Sequence, residues 1–229
     1  MTERGPKDKI GQIQQSIGKL PDALGPEDFA ALTGVSRETL ARLEAYAALL
    51  AQWNERINLV SRDTLRDVWR RHFLDSAQLL PHVPAGTRSL ADLGSGAGFP
   101  GLVLAILGVC GVELVESDAR KCAFLREAAR IADAPVRVHH ARIEAVPSHE
   151  VDVVTARACA PLDRLLVMAQ RFIAPHTICL FLKGERAGEE LTAARRGWTM
   201  RAACHPSRAD PRGVILKLEQ ITREPQGGG

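Results

Sequence analysis

Aromatic residues are scarce in this chain. Among 229 residues there are six Phe, three Trp and one Tyr. The lone tyrosine, Tyr46, is followed four positions later by Leu50, so no Tyr-x-x-x-Lys pair is available as a proton relay. Cysteine is sparse as well. Cys110, Cys122, Cys159, Cys179 and Cys204 are odd in number and none stands in C-x-x-C spacing. That argues against a metal ribbon or a disulfide framework and for a reducing, cytoplasmic setting with no metal. An excess of one charge is also missing: Lys+Arg 30 against Asp+Glu 27 gives +3. Composition alone therefore calls for neither nucleic acid nor a membrane. One stretch, Leu93–Val112, runs without charge for the length of a bilayer, yet it holds six Gly and one Pro and reads as a buried loop and helix. Met1–Lys9 alternates charges around no apolar core, unlike a signal peptide.

What is present is a globular composition, 45% apolar and 25% charged, long enough for a full core. Arginine outnumbers lysine 24 to 6. Arginine grips phosphate with two parallel hydrogen bonds, although codon usage alone yields the same bias.

The pattern along the chain divides it into a polar arm over 1–25, a helical cap over 26–84, a larger domain over 85–222 and a short tail over 223–229. In the cap, Ser36 starts a helix reaching about Leu59, with Leu40, Leu43, Ala47, Leu50, Trp53 and Ile57 at helical spacing. A second helix is expected from about Arg62 to Leu80. Beyond Gly86, short apolar runs alternate with helical stretches. The expected strands are Ser89–Leu93, Val112–Glu116, Val136–His140, Val151–Ala156, Thr177–Lys183, Thr199–Cys204 and Val214–Ile221. Such alternation gives a mostly parallel sheet covered on both faces. The last two strands leave no room for a helix between them, so one of the seven is expected to be antiparallel. No internal repeat is visible.

The segment Asp92-Leu93-Gly94-Ser95-Gly96-Ala97-Gly98-Phe99-Pro100-Gly101 follows the first strand and opens a helix. A doubly wound sheet binds adenosine-containing ligands there. From Gly96 it reads as a dinucleotide fingerprint; from Gly94 it reads G-x-G-x-G. The second register is favoured. Gly94 stands directly at the strand end, Pro100 lacks an N–H that would help hold a pyrophosphate, and Asp92 would repel phosphates but suit a cationic ligand. S-adenosylmethionine carries a sulfonium and an ammonium and no phosphate. The second strand ends Glu116-Ser117-Asp118, and either acid could hold the ribose hydroxyls; Asp118 could instead cap the next helix. Arg142-Ile143-Glu144 follows the third strand, and Arg157 ends the fourth, where its partner is expected to be a carboxylate, either the methionine end of the cofactor or a nearby Asp or Glu, the latter also as an ordinary stabilising ion pair. On the cap, His72 and Asp75 are spaced to share a helix face. Arg62, Arg66, Arg70 and Arg71 alternate there with acids, either as a solvated salt-bridged face or as cations offered to RNA.

The blocks Trp53-Asn54, Asn58-Leu59, His72-Phe73-Leu74-Asp75-Ser76, the glycine segment, Arg142-Ile143-Glu144, Arg157-Ala158 and Lys183-Gly184, in this order, resemble the RsmG (GidB) family of bacterial small-subunit rRNA guanine-N7 methyltransferases. The resemblance spans roughly residues 36–221. It implies a Rossmann-like class I methyltransferase sheet with an N-terminal helical cap; the chain is expected to act as a monomer. It implies S-adenosylmethionine as cofactor and a guanosine of 16S rRNA near the decoding site as target. Carried over, Gly94, Ser95, Gly96 and Phe99 would meet the cofactor from the loop. Ile143 and Glu144 would flank the adenine, and Arg157 would bind in the crevice. Glu116 stands where the family more often has Asp, and Ala145 where many members have a second acid. Arg62, Arg66, Arg70, Arg71 and Lys183 would meet RNA. Guanine N7 has a free lone pair, so no general base is required. Asp75 is expected to favour the charge that develops on the base, and His72 to position it.

Overall fold

A computed structural model describes residues 24–224, so most of the expected arm and tail lies outside the described residues. The first helix, α1 (Pro26–Thr33), has no counterpart in the sequence reading. It buries only Phe29, too little for a periodic signal, and its N-terminus is closed by Asp28, whose carboxylate accepts the Gly25 N–H at 3.0 Å. Helix α2 (Arg37–Asn54) is capped as expected by Ser36. It stops five residues before Leu59 because the Asn54 side chain accepts from the backbone N–H groups of Leu59 and Val60, both at 2.9 Å, and turns the chain back.

The single helix expected over Arg62–Leu80 is broken instead. A short α3 (Arg62–Arg66) ends where Asp67 leaves helical geometry, with φ −119° and ψ 43°. A π-helical segment, Trp69–Leu74, follows, then the single turn α4 (Asp75–Ala77) and a 3₁₀ turn at Leu80–His82. Trp69, His72, Phe73 and Leu74 of the π segment are all buried.

Beyond the cap, the strands match the reading to within a few residues and the helices fall between them: β1 (Leu90–Leu93), α5 (Gly101–Ile106), β2 (Val112–Glu116), α6 (Ala119–Ile131), β3 (Val136–His140), β4 (Val153–Arg157), α7 (Leu162–Ala169), β5 (Ile178–Lys183), α8 (Ala187–Ala194), β6 (Trp198–Pro206) and β7 (Val214–Arg223). They form one seven-stranded sheet ordered β3-β2-β1-β4-β5-β7-β6. Only β7 is antiparallel to its neighbours, β5 and β6. The order reverses between β1 and β4, which opens a crevice at their carboxyl ends.

Strand alternation splits the core in two. Leu90, Leu114, Val153, Leu180 and Leu182 face the cap, α5 and α6. Ala91, Leu93, Val115, Val154, Ala156 and Phe181 face α7 and the far side. Asp92, Thr155 and Arg157 fall on the cap side by the same alternation. The few aromatics are concentrated there too. Phe29, Tyr46, Trp53, Trp69, Phe73, Phe99 and Phe124 make one continuous set of ring contacts. Cap and sheet thus share a single core. Among the described residues, no helix is long and apolar enough to cross a membrane, and no group of three or more His, Cys, Asp or Glu could hold a metal ion.

Candidate active site

Each strand at the switch point delivers its residues to the same edge. The glycine loop leaves β1 and is pinned to the second strand by Ser95, whose N–H donates to the Val115 carbonyl at 3.0 Å. Two of its glycines are required by what surrounds them. Gly94 has φ +67°, and a Cβ there would lie 2.7 Å from the Cys159 Sγ. Gly98 has φ +92°, and a Cβ would lie 2.6 Å from the Tyr46 hydroxyl.

Glu116 ends β2 with its carboxylate against this loop. One oxygen accepts the Gly96 N–H at 2.9 Å and the other the Asp118 N–H at 2.8 Å. Each oxygen keeps a further lone pair for a hydroxyl group. Asp118 takes the other role read for it: its carboxylate caps α6, accepting from the N–H groups of Arg120 at 2.8 Å and Lys121 at 3.2 Å. Those two bonds, led by the one from Lys121, hold its pKa below the ordinary carboxylate value. Ile143 is buried in a 3₁₀ turn after β3, and Glu144 beside it is exposed. The residues at the ends of β1, β2 and β3 therefore suit an adenosine: a bare backbone turn, a carboxylate with free lone pairs, and an apolar side chain.

Asp92 does not do what its position predicted. Its carboxyl is wholly buried under the loop, where one oxygen accepts the Thr155 hydroxyl at 2.7 Å and the other has no hydrogen-bond partner. Burial pushes its pKa up, with the Thr155 and Ser95 hydroxyls pulling the other way. The expectation for Phe99 also changes. Its ring is buried between Tyr46, at 5.4 Å and 21°, and His72, at 4.7 Å and 23°. Only its backbone is left to line the loop. Tyr46 further donates its hydroxyl to the Ala97 carbonyl, so cap helix α2 holds the glycine loop directly.

Arg157 finds the carboxylate expected for it, and the partner is Asp75. The Nη1 atom lies 3.4 Å from the Asp75 carboxylate and donates to the Arg71 carbonyl at 3.1 Å, while the guanidinium sits 4.9 Å from the Phe99 ring centre. Burial raises the pKa of Asp75, and Arg157 opposes that shift. His72 is driven down to about 3, first by burial and then by the charges of Arg157 and Arg71. It is a neutral ring near pH 7.

His72, Asp75 and Arg157 line a cavity of about 770 Å³ between the cap, the ends of β4 and β5 and the β6–β7 connection. Two further ion pairs ring it. Arg71 meets Asp210 at 2.7 Å and Lys183 meets Glu190 at 2.8 Å. Lys183, expected to meet RNA, is nearly buried and also donates to the Ala160 carbonyl at 2.6 Å. Of the other cations expected at RNA, Arg70 pairs with Asp67 at 3.3 Å, whereas Arg62 and Arg66 are exposed. Tyr46, Cys159, Glu190 and Asp210 escaped the sequence reading. Their partners lie 51 or more positions away for Tyr46 and Asp210, and no local spacing announces such contacts.

Comparison with known proteins agrees with this geometry. The family model described as rRNA small subunit methyltransferase G matches residues 39–209. A protein named ribosomal RNA small subunit methyltransferase G from Rhodospirillum centenum is 61% identical over 194 residues, covering 85% of this chain and 90% of its own. One of the same name from Paramagnetospirillum magneticum is 56% identical, covering 87% and 98%. Among solved structures, a TehB-like SAM-dependent methyltransferase from Corynebacterium glutamicum superposes with a TM-score of 0.53 at 14% identity, covering 77% of this chain and 99% of that one.

Proposed function

The chain belongs to the rRNA small subunit methyltransferase G family and is an S-adenosylmethionine-dependent rRNA methyltransferase; from that premise we propose that it methylates N7 of a guanosine in the decoding region of 16S rRNA, as a cytoplasmic monomer. The observation that carries the cofactor half is the Glu116 carboxylate, bracketed by the N–H groups of Gly96 and Asp118 at the switch point. In this reading the 85–222 domain holds the cofactor and the 26–84 cap meets the RNA, with 1–25 and 223–229 as appendages.

S-adenosylmethionine, when bound, supplies a methyl group activated by a sulfonium. The backbone of Gly94, Ser95, Gly96 and Phe99 lines its seat. Glu116 receives the ribose hydroxyls, and Ile143 and Glu144 border the adenine. Arg157 anchors the crevice wall through Asp75 and the Arg71 carbonyl.

Guanine N7 carries an in-plane lone pair and no proton, so alignment dominates the chemistry. His72 fits a positioning role because it is neutral near pH 7. A cationic ring would donate to N7 and block the attacking lone pair. Asp75 faces the same cavity, and its carboxylate favours the positive charge gained by the base. N7 lies in the deep groove of an RNA helix, so the base must be reached in a loop or splayed out. Arg62, Arg66, Arg70, Arg71 and Lys183 are the cations read toward RNA from the sequence; Arg71 and Lys183, already paired within the protein, serve it by shaping the cavity.

Mapping N7-methylguanosine in 16S rRNA of cells with and without this gene tests the reading. Loss of one modified guanosine, restored by the wild-type gene, supports it; an unchanged map overturns it.

A further inference from the structure

The charges around the main cavity balance. Arg157, Arg71 and Lys183 are each matched by a carboxylate: Asp75, Asp210 and Glu190. Such a cavity suits a neutral polar group such as a nucleobase, whose edge both donates and accepts. It does not suit a phosphodiester, which would have to displace a carboxylate from its cation.

A second groove, of about 640 Å³, adjoins it between the 54–62 segment of the cap and the start of α6. Here the charges do not balance. Arg56, Arg62, Arg120 and Lys121 line it against only Glu55 and Asp118. Asp118 is engaged by two backbone N–H groups and lies 3.6 Å from Arg120. Among the described residues, Arg56, Arg62 and Lys121 form no ion pair. The Arg120 side chain is 72% exposed, and Arg56 and Arg62 are exposed as well. Leu59, Val60 and Ser61 line both the groove and the cavity, so this segment is a lip separating two adjoining spaces.

We propose that the groove carries the RNA backbone beside the target nucleotide, with phosphates at Arg56, Arg62, Arg120 and Lys121, while the target base crosses the Leu59–Ser61 lip into the charge-balanced cavity. This rests on rRNA as the substrate. It shifts backbone recognition from the paired crevice cations to the groove with its surplus of positive charge, and it enlists α6 of the cofactor-binding domain alongside the cap. A base turned out of its helix needs its flanking phosphates held; Arg56, Arg62 and Lys121 do this without breaking an ion pair, and Arg120 gives up only its exposed contact with Asp118.

The test compares two double variants, Arg56→Ala with Arg62→Ala and Arg120→Ala with Lys121→Ala. Arg126→Ala with Arg130→Ala is the control, removing the same charge farther along α6. Small ribosomal subunits lacking the methyl group are the substrate, with isotopically labelled S-adenosylmethionine, over a range of salt. Each groove variant is expected to raise KM for the subunit on the order of tenfold and to flatten the log–log salt dependence by about 0.7 for each phosphate no longer neutralised. Affinity for S-adenosylhomocysteine should be retained, and the control should keep the wild-type KM. Three results overturn the proposal: wild-type KM and slope in both groove variants, an equal shift in the control, or a loss of cofactor affinity with no change toward the subunit. If wild-type protein leaves the subunits unmethylated, the assigned function fails instead. The groove is then judged by filter binding of the same RNA, with the same three outcomes against it.

Discussion

The two halves of the active site are built from different materials. At the ends of β1, β2 and β3 the backbone predominates: a glycine turn, two N–H groups and one carboxylate between them. At the ends of β4 and β5 side chains take over, through three ion pairs and a buried neutral imidazole drawn from the cap, the sheet, α8 and the β6–β7 connection. The first half fits a ligand of fixed shape. The second fits a base that must arrive from outside, be aligned and leave again.

Four substitutions would break or sharpen this contrast. The largest effect is expected at Asp75, in the side-chain half. Asp75→Asn keeps the shape and removes the charge, and single-turnover methylation at saturating RNA and cofactor should slow on the order of a hundredfold. An unchanged rate with a lowered melting temperature would reduce Asp75 to an anchor for Arg157.

Next is Glu116→Gln, in the backbone half. The amide nitrogen would face an N–H donor in place of an acceptor, so cofactor affinity should fall on the order of tenfold. Calorimetric titration with S-adenosylhomocysteine measures this. Unaltered affinity would mean that the ribose is held elsewhere.

His72→Phe should show its effect in pH dependence. In the unfolded chain His72 takes up a proton near its ordinary value of 6.5, but in the fold only near 3. The folded state thus binds fewer protons between those values. The stability associated with His72 is complete above pH 6.5 and is lost as pH falls toward 3. Phenylalanine preserves the stack on Phe99 and removes the titration, so the acid-side fall in the urea midpoint should be shallower than in wild type. Parallel curves would contradict the burial of a neutral ring.

The smallest effect on RNA is expected at Lys183. Lys183→Met leaves Glu190 without its cation and should lower stability by about 1–3 kcal/mol. The salt dependence of RNA binding should stay that of wild type, because the ammonium is already engaged by Glu190 and Ala160. A flattened dependence would return Lys183 to the RNA interface.

The contrast also explains what was legible beforehand. The strands and the glycine loop are written in local signals: apolar runs, glycine spacing, an acid at a strand end. β2 and β3 agree residue for residue with the reading. The cofactor half was legible for the same reason. The cap was less so. Its second helix breaks at Asp67 and continues as a π turn whose Trp69, His72, Phe73 and Leu74 pack inside, a departure that helical periodicity does not announce. Asp92 and Lys183 show the same difference between sequence and structure. Each looks from the sequence like a charge pointed at a ligand, and each is taken by an internal partner, Thr155 for one and Glu190 for the other. The residues were visible, but their pairings were not.

The ring contacts joining Tyr46, Phe99 and His72 bear on how such a protein can change over generations. A recombination event near residue 84 would fall in an exposed, proline-marked turn and look harmless along the chain. It would nonetheless separate Tyr46 and His72 from the loop residue they enclose. A new cap would have to bring two rings of the right size, at the right height, with a hydroxyl aimed at the Ala97 carbonyl. Caps and cofactor loops of this design are therefore heritable only as matched sets, and a graft of one without the other should fold poorly before its specificity could ever be selected.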